Sequence, residues 1–175
     1  MSNVPRDILH LGCGRKRLEG AVNVDVAEVV GPDVLHDLNC RPWPFRDGQF
    51  GEVLAYDVVE HLDDVVATLE EIHRVARHGA VVRITVPYFF SANAFTDPTH
   101  RHQFGWSSLS YFTDEREFAF ATTARFRRRA RPGSSSRPPC RTGSSTGSPT
   151  ATLMPTSVAG RGCFRRGSSM SSSAC

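Results

Sequence analysis

Two glycines and an aspartate near the start of the chain have the types and spacing of a nucleotide-binding site. Gly12-Cys13-Gly14 follows the apolar run Ile8-Leu9-His10-Leu11, and Asp25 lies in the β-branched run Val22-Asn23-Val24-Asp25-Val26. Glycines let a backbone turn approach a ligand without interference from a Cβ atom. A carboxylate at the end of a second strand can accept hydrogen bonds from both hydroxyls of a ribose. A simpler interpretation stays open, in which the glycines only make a tight turn and Asp25 only caps a loop.

Two better-known nucleotide motifs fit this turn poorly. The dinucleotide fingerprint needs a third glycine where Arg17 stands, and its acidic residue lies ~20 positions further on. Asp25 is only thirteen residues beyond Gly12. Gly14-Arg15-Lys16 is not a P-loop, because the glycine spacing and the following Ser or Thr are missing. The turn therefore matches neither motif.

A second group of chemically active side chains lies in the segment 96–104, Thr-Asp-Pro-Thr-His-Arg-His-Gln-Phe. His100 and His102 titrate near neutral pH, so either can accept a proton from a nucleophile and serve as a catalytic base. The His-x-His spacing can also begin a metal site, but the sequence places no further ligand there beyond Asp97, and we expect no metal. The alternative is a Pro-nucleated loop whose histidines bond to backbone groups.

The elements that must position these residues alternate between strands and a helix. Short apolar runs bounded by turn-forming residues predict four strands, at 8–11, 22–26, 34–36 and 50–56. Apolar residues at spacings of three and four predict an α-helix over 62–77, ended by Gly79, with His61 as a cap or buttress before it. A fifth strand is predicted at 80–86. This alternation is typical of an α/β protein with a parallel sheet.

In order and spacing, these blocks resemble the class I S-adenosylmethionine-dependent methyltransferases. The blocks are the glycine turn, the acid at 25, the pair Asp37-Leu38 and the segment 44–62, which ends in Tyr56-Asp57-Val58-Val59-Glu60-His61-Leu62. The similarity covers about residues 7–113. It implies a Rossmann-like, mostly parallel sheet flanked by helices, with S-adenosylmethionine across the carboxyl ends of strands one, two and four. It also implies an enzyme that transfers a methyl group to an O, N or C nucleophile of a small-molecule substrate.

The resemblance assigns each part of the cofactor to particular residues. Gly12, Cys13 and Gly14 would lie under the methionine part, and Asp25 would hold the ribose hydroxyls. Asp37 would bond to the adenine amino group, with Leu38 packed on the ring. Tyr56-Asp57, at the end of the fourth strand, would lie near the methionine amino group.

The sequence departs from the family pattern at two places that bear on the fold. Only ten residues, 12–21, join the first two strands, so the first helix must shrink to about one turn. The family's sheet normally ends in an antiparallel pair of strands. The segment 117–122 can begin one of them, but the sequence after Phe126 has no period-2 apolar pattern for the other. We therefore expect a sheet that is incomplete at its C-terminal edge and a chain with little or no turnover.

The chain divides into two parts of opposite charge. Residues 1–117 carry all 18 acidic residues and 11 basic ones, a net charge of 11 − 18 = −7, whereas 118–175 carry ten Arg and no acid. We predict a methyltransferase domain at 1–120 and a disordered Arg/Ser/Pro/Gly-rich tail at 121–175. Three interpretations of the tail stay open: a basic arm for nucleic acid or acidic membranes, a solvated linker, or the product of a reading-frame change.

Composition narrows the class of protein further. The acidic charge of the folded part argues against nucleic acid as its partner. No apolar stretch approaches the about 20 residues of a membrane span. Five Cys without a Cys-x-x-Cys pair indicate neither a disulfide scaffold nor a zinc ribbon, which favours a reducing, cytoplasmic setting. The alternative function is a non-catalytic nucleotide-fold remnant that keeps cofactor binding without turnover.

Overall fold

The computed structural model describes residues 7–113, 122–128 and 150–155, and these form one seven-stranded sheet in the order β3-β2-β1-β4-β5-β7-β6. The strands are β1 (Ile8–Leu11), β2 (Ala21–Asp25), β3 (Val34–Leu35), β4 (Phe50–Tyr56), β5 (Ala76–Thr85), β6 (Phe126–Arg128) and β7 (Thr150–Pro155). Strands β1 to β5 are parallel to one another, whereas β7 is antiparallel to β5 and to β6. The predicted α/β class and the mostly parallel, Rossmann-like sheet are confirmed.

The helix predicted at 62–77 is present as α1 (Val65–Val75) and is shorter at both ends. At its start, the Asp64 carboxylate accepts a hydrogen bond from the Ala67 N–H at 2.9 Å, which makes Asp64 the N-cap. A second helix, α2 (Asn93–Thr96), has a single turn. None of the helices in the described part of the chain is long and apolar enough to cross a membrane.

Gly79 does not end this helix, so that prediction is wrong. The chain passes directly from Val75 into β5 at Ala76. Gly79 lies inside the strand with φ of +77°, where the pairing with β4 shifts register. A glycine at positive φ is common at such a bulge because it has no Cβ.

The apolar face of α1 packs on the sheet as its periodicity predicted. Leu69, Ile72 and Val75 are fully buried, and they join a core that includes Phe50 and Val53 of β4. Burial of this face stabilises the helix, because an isolated helix of this length is marginal in water.

The connection between β1 and β2 has turns and no helix along residues 12–20, all of which the structure describes. The buried side chain of Asn23 orders it instead. Its Oδ1 accepts the Leu18 N–H at 2.8 Å, and its Nδ2 donates to the Leu18 carbonyl at 3.0 Å. The one-turn helix that the sequence predicted is therefore absent from residues 12–20, and hydrogen bonds to the Asn23 side chain hold the connection in place.

The prediction of a sheet that is incomplete at its C-terminal edge is wrong. β7 covers the outer edge of β5 from Val82 to Thr85, and β6 pairs with β7. Main-chain hydrogen bonds form a ladder whatever the side chains are, so a short segment rich in Thr and Ala can supply one. Phe126 and Leu153, each at most 1% exposed, add the apolar contacts.

Most of the predicted tail lies outside the described residues, as does nearly all of the predicted strand start at 117–122. The two closing strands fall within 121–175, so the structure corrects the prediction of disorder for 126–128 and 150–155. The domain boundary at residue 120 stays a prediction.

Candidate functional site

The glycine turn lies at the carboxyl end of β1, and both glycines have positive φ, +58° at Gly12 and +49° at Gly14. A Cβ on Gly12 would lie 2.7 Å from the Cβ of Val58 and closer still to its Cγ2. A Cβ on Gly14 would meet nothing within 4 Å. Gly12 is therefore needed for packing as well as for backbone conformation, whereas Gly14 faces open space.

Cys13, between these glycines, is a packing residue. Its side chain is 3% exposed, and its N–H donates to the Val24 carbonyl at 3.0 Å. Burial raises the pKa of the Cys13 thiol, which disfavours the nucleophilic thiolate. Cys13 thus joins the turn to β2 through its backbone.

Asp25 holds the glycine turn from the end of β2. Its Oδ2 accepts the Gly14 N–H at 2.7 Å, and its Oδ1 accepts the Ala27 N–H at 2.9 Å. Asp25 therefore does cap the loop, as the simpler interpretation predicted. Each carboxylate oxygen has a second lone pair, so the capping role leaves acceptors for the hydroxyls of a ribose.

The two residues predicted for the adenine side differ in exposure. Asp37 is exposed, and its Oδ1 accepts the Asn39 N–H at 2.9 Å. Leu38 is only 5% exposed and belongs to the core, so its side chain offers little surface to a ring. The structure instead leaves Val26, directly after Asp25, 67% exposed. We did not predict Val26, because its alternation with Val22 and Val24 assigned it to the strand.

Tyr56 is the last residue of β4, and Asp57 follows it. Tyr56 is 38% exposed, and its ring meets the His10 ring edge-on at a centroid separation of 5.9 Å. Asp57 has φ of +51°, a conformation that is uncommon for residues other than glycine, and its N–H donates to the Thr85 carbonyl at 2.9 Å. An unusual conformation at a strand end is typical of a ligand site.

His10 is a buried residue that the sequence placed in a strand without a role. Its Nδ1 lies 3.2 Å from Oδ1 of Asn23, and the side chain is 3% exposed. Burial lowers the pKa of His10, so the ring is neutral at pH 7. A neutral imidazole can be buried here, where it contacts the side-chain amide of Asn23 and the ring of Tyr56.

The sheet topology brings the predicted cofactor residues to one edge. Leu11 at the end of β1 pairs with Val24 of β2 on one side and with Ala55 of β4 on the other. The residues at and just after the carboxyl ends of these three strands therefore lie side by side. These are Gly12, Cys13, Gly14, Asp25, Tyr56 and Asp57.

Backbone bonds hold the two histidines predicted as catalytic residues. Nδ1 of His100 lies 3.2 Å from the Ala94 carbonyl oxygen, and Nε2 of His102 lies 2.9 Å from the Leu62 carbonyl oxygen. The alternative interpretation of a loop whose histidines bond to backbone groups agrees with these contacts. His102 has a structural role, whereas His100 also faces a carboxyl group.

That group is the carboxylate of Glu60, which follows β4 in the 3-10 turn 59–61. Glu60 is 1% exposed, and neither carboxylate oxygen accepts a hydrogen bond from any residue that the structure describes. Nε2 of His100 lies 4.0 Å from its Oε1. Burial raises the pKa of Glu60 to about 7. We missed Glu60 because its partner lies forty positions further along the chain.

Parallel strands with a glycine turn and an acid at their carboxyl edge are the arrangement in which open α/β sheets commonly bind ligands. Residues 9–84 match the model of a family described as a methyltransferase domain. The matched segment runs from β1 to β5 and contains the glycine turn, Asp25 and the end of β4, so this part of the chain is similar to a methyltransferase domain. No match was found among curated protein sequences.

Solved structures share the fold at low sequence identity. A SAM-dependent methyltransferase from Archaeoglobus fulgidus is 16% identical, with 85% of this chain and 84% of that chain covered and a TM-score of 0.55. The YcgJ protein from Bacillus subtilis is 15% identical, with 69% and 62% covered and a TM-score of 0.51. A complex of the Haloferax volcanii Trm112 methyltransferase activator with a methyltransferase gives 13% identity, 85% and 81% covered, and a TM-score of 0.53.

Proposed function

We propose that the protein is a class I S-adenosylmethionine-dependent methyltransferase that binds this cofactor with the methionine part on Gly12–Gly14 and the ribose on Asp25, and methylates a small molecule. The observation that carries the proposal is the Asp25 carboxylate, which is fixed by two backbone N–H groups at the end of β2 and keeps lone pairs for two hydroxyls. Asp37 and Leu38 complete the adenine side and Tyr56 and Asp57 the methionine side of this proposal. For apolar contact with the adenine ring, Val26 is a better candidate than Leu38, because Val26 is exposed and Leu38 is buried.

The proposed reaction is an in-line displacement at the methyl carbon. The bond from the acceptor's O, N or C atom forms while the carbon–sulfur bond breaks, and the sulfonium leaves as a neutral thioether. Holding two reactants in line lowers the barrier by itself, so the protein needs mainly to position them. A base on the substrate side takes up the proton that an O or N acceptor loses.

The substrate side is proposed to be the loop after β5, which carries His100 and His102. The N–H groups of Arg101 and His102 donate to the Glu60 carbonyl at 2.8 and 3.2 Å, so this loop is fastened to the segment after β4. The net charge of −7 in residues 1–117 favours a small-molecule acceptor over nucleic acid. The cysteine spacing predicts a reducing, cytoplasmic setting, but Cys40 is disulfide-bonded in the structure, which argues against that setting. The alternative of a non-catalytic remnant rested on an open sheet edge, and β7 covers that edge.

Asp25→Ala should weaken S-adenosylmethionine binding by roughly 10- to 150-fold, because hydrogen bonds to a charged acceptor contribute about 1.5–3 kcal/mol. Isothermal titration calorimetry measures the affinity. Asp25→Asn is the matched control, since it keeps an oxygen that can cap the turn but removes the charge, and we expect a smaller loss. A change below about threefold in the Ala variant would contradict the ribose placement.

His100→Ala should lower methyl transfer while leaving the affinity for S-adenosylmethionine nearly unchanged, because His100 belongs to the proposed substrate-side loop and not to the proposed cofactor contacts. His102→Ala should mainly lower thermal stability, since it removes the hydrogen bond from Nε2 of His102 to the Leu62 carbonyl. The measurement is transfer of a labelled methyl group to an acceptor found by metabolite screening, beside a thermal melt. Equal loss of cofactor binding in both variants would show that the loop is only structural.

A further inference from the structure

Three side chains outside the predicted cofactor site converge between the turn after β4 and the loop after β5. Glu60, His61 and His100 each offer one possible ligand atom, and these atoms lie within 4.8 Å of one another. Glu60 and His61 are adjacent in the chain, and His100 is brought to them by the backbone bonds to the Glu60 carbonyl. The sequence could not join them, because it offered only Asp97 as a carboxylate near the histidines.

The hydrogen bonds of the two imidazoles leave one nitrogen of each ring for a ligand. In His100, Nδ1 donates to the Ala94 carbonyl at 3.2 Å, so the lone pair is on Nε2, which faces Glu60. In His61, Nδ1 lies 2.9 Å from the Thr99 hydroxyl oxygen. The Thr99 hydroxyl donates its own proton to Asp97 at 2.6 Å, so it accepts from His61. His61 therefore also keeps its lone pair on Nε2.

This pattern is the usual outer-sphere support of a metal-binding histidine. Such a histidine donates its other ring N–H to a backbone carbonyl or, through a polar group, to a carboxylate, which sets the tautomer and the ring orientation. The Ala94 carbonyl has this role for His100, and the Thr99–Asp97 pair has it for His61. Hydrogen bonds from Thr99 lower the pKa of Asp97, so the supporting carboxylate is ionised.

The Glu60 carboxylate provides the independent indication of a ligand. A buried carboxylate is normally paired or hydrogen-bonded, because an isolated one is costly. Both oxygens of Glu60 are buried without a hydrogen-bond partner among the described residues, and Nε2 of His100 lies 4.0 Å from Oε1. A bound cation would satisfy this carboxylate where no protein group does.

We propose that Glu60, His61 and His100 bind one divalent first-row transition-metal ion. Two imidazoles and one carboxylate are a ligand set that suits zinc, iron, nickel or copper better than magnesium or calcium. Ligand atoms around such an ion lie about 3 Å apart, so the imidazoles must approach Glu60 by about 1 Å on binding. Three protein ligands leave at least one coordination position open. The existence of this site does not depend on the proposed cofactor and substrate contacts.

The test is direct binding of Zn²⁺ to the full chain after treatment with a chelator. Competition against a chromophoric chelator should give one equivalent of Zn²⁺. Glu60→Gln and His100→Ala should each weaken this binding by at least tenfold, which is the scale even for outer-sphere changes. Thr99→Val, which frees the His61 ring, should weaken it roughly tenfold. Zn²⁺ should raise the melting temperature of the unmodified chain and not that of Glu60→Gln.

Two other histidines provide matched controls. His102 is in the same loop but its Nε2 bonds to the Leu62 carbonyl, and His78 is exposed on β5. His102→Ala and His78→Ala should keep the Zn²⁺ affinity within threefold. The proposal is overturned if the unmodified chain binds no Zn²⁺, or if His78→Ala reduces binding as much as Glu60→Gln does, which would indicate an adventitious ion only. Glu60→Gln preserves side-chain shape, so it decides the outcome if His100→Ala fails to fold.

Discussion

Gly12→Ala should destabilise the fold far more than Gly14→Ala, although both glycines have positive φ. An alanine in the left-handed region costs about 1–2 kcal/mol, and both variants incur this cost. Only at position 12 would the new Cβ overlap a neighbour, the side chain of Val58. Overpacking of this kind adds about 1–3 kcal/mol. Urea unfolding of the two variants measures the difference in the free energy of unfolding.

The double variant Gly12→Ala/Val58→Ala isolates the cause. Removing the Val58 methyl groups should recover most of the excess cost, measured against Val58→Ala alone, because the two residues are in contact and their effects are not additive. If Gly12→Ala and Gly14→Ala are equally destabilising, the contact with Val58 has no energetic weight. If the double variant recovers nothing, the cost arises from the backbone alone.

Glu60→Gln should remove a pH-dependent loss of stability of about 3 kcal/mol in metal-free protein. Burial raises the pKa of Glu60 to about 7 from 4.5. The folded state therefore binds the proton more tightly than the unfolded state, and stability falls as pH rises from about 4.5 through 7. Glutamine cannot ionise, so the stability of Glu60→Gln relative to the unmodified chain should increase over this range. Urea unfolding at pH 5 and pH 8 with a chelator present measures it.

The comparison between the two pH values cancels costs that do not depend on pH, such as a buried amide without partners. Glu28→Gln, at an exposed glutamate, controls for the loss of one carboxylate. A constant difference between Glu60→Gln and the unmodified chain at pH 5 and pH 8 would mean that Glu60 is solvated or paired in the folded state. At pH 8, added Zn²⁺ should raise the free energy of unfolding of the unmodified chain and not that of Glu60→Gln, since the ion would bind the ionised carboxylate that glutamine lacks.

The parts of the fold that sequence patterns predicted are those governed by local physical rules. Short apolar runs bounded by turn-forming residues predicted β1, β2 and β4, apolar residues at spacings of three and four predicted α1, and Asp64 caps that helix. The glycine turn followed from φ values that other residues rarely adopt. Helix ends were less accurate, because Gly79 suits a bulge in a strand as well as a helix stop.

Local sequence was therefore enough for the parallel half of the sheet and for the edge where Gly12, Gly14 and Asp25 meet. The tertiary structure alone decided the closing strand β7, since main-chain hydrogen bonding to β5 leaves almost no pattern in a segment of six residues. It also decided that Leu38 is buried and Val26 exposed. The approach of His100 to Glu60 is of the same kind, because a contact across forty residues depends on how two loops pack, and no spacing along the chain encodes it.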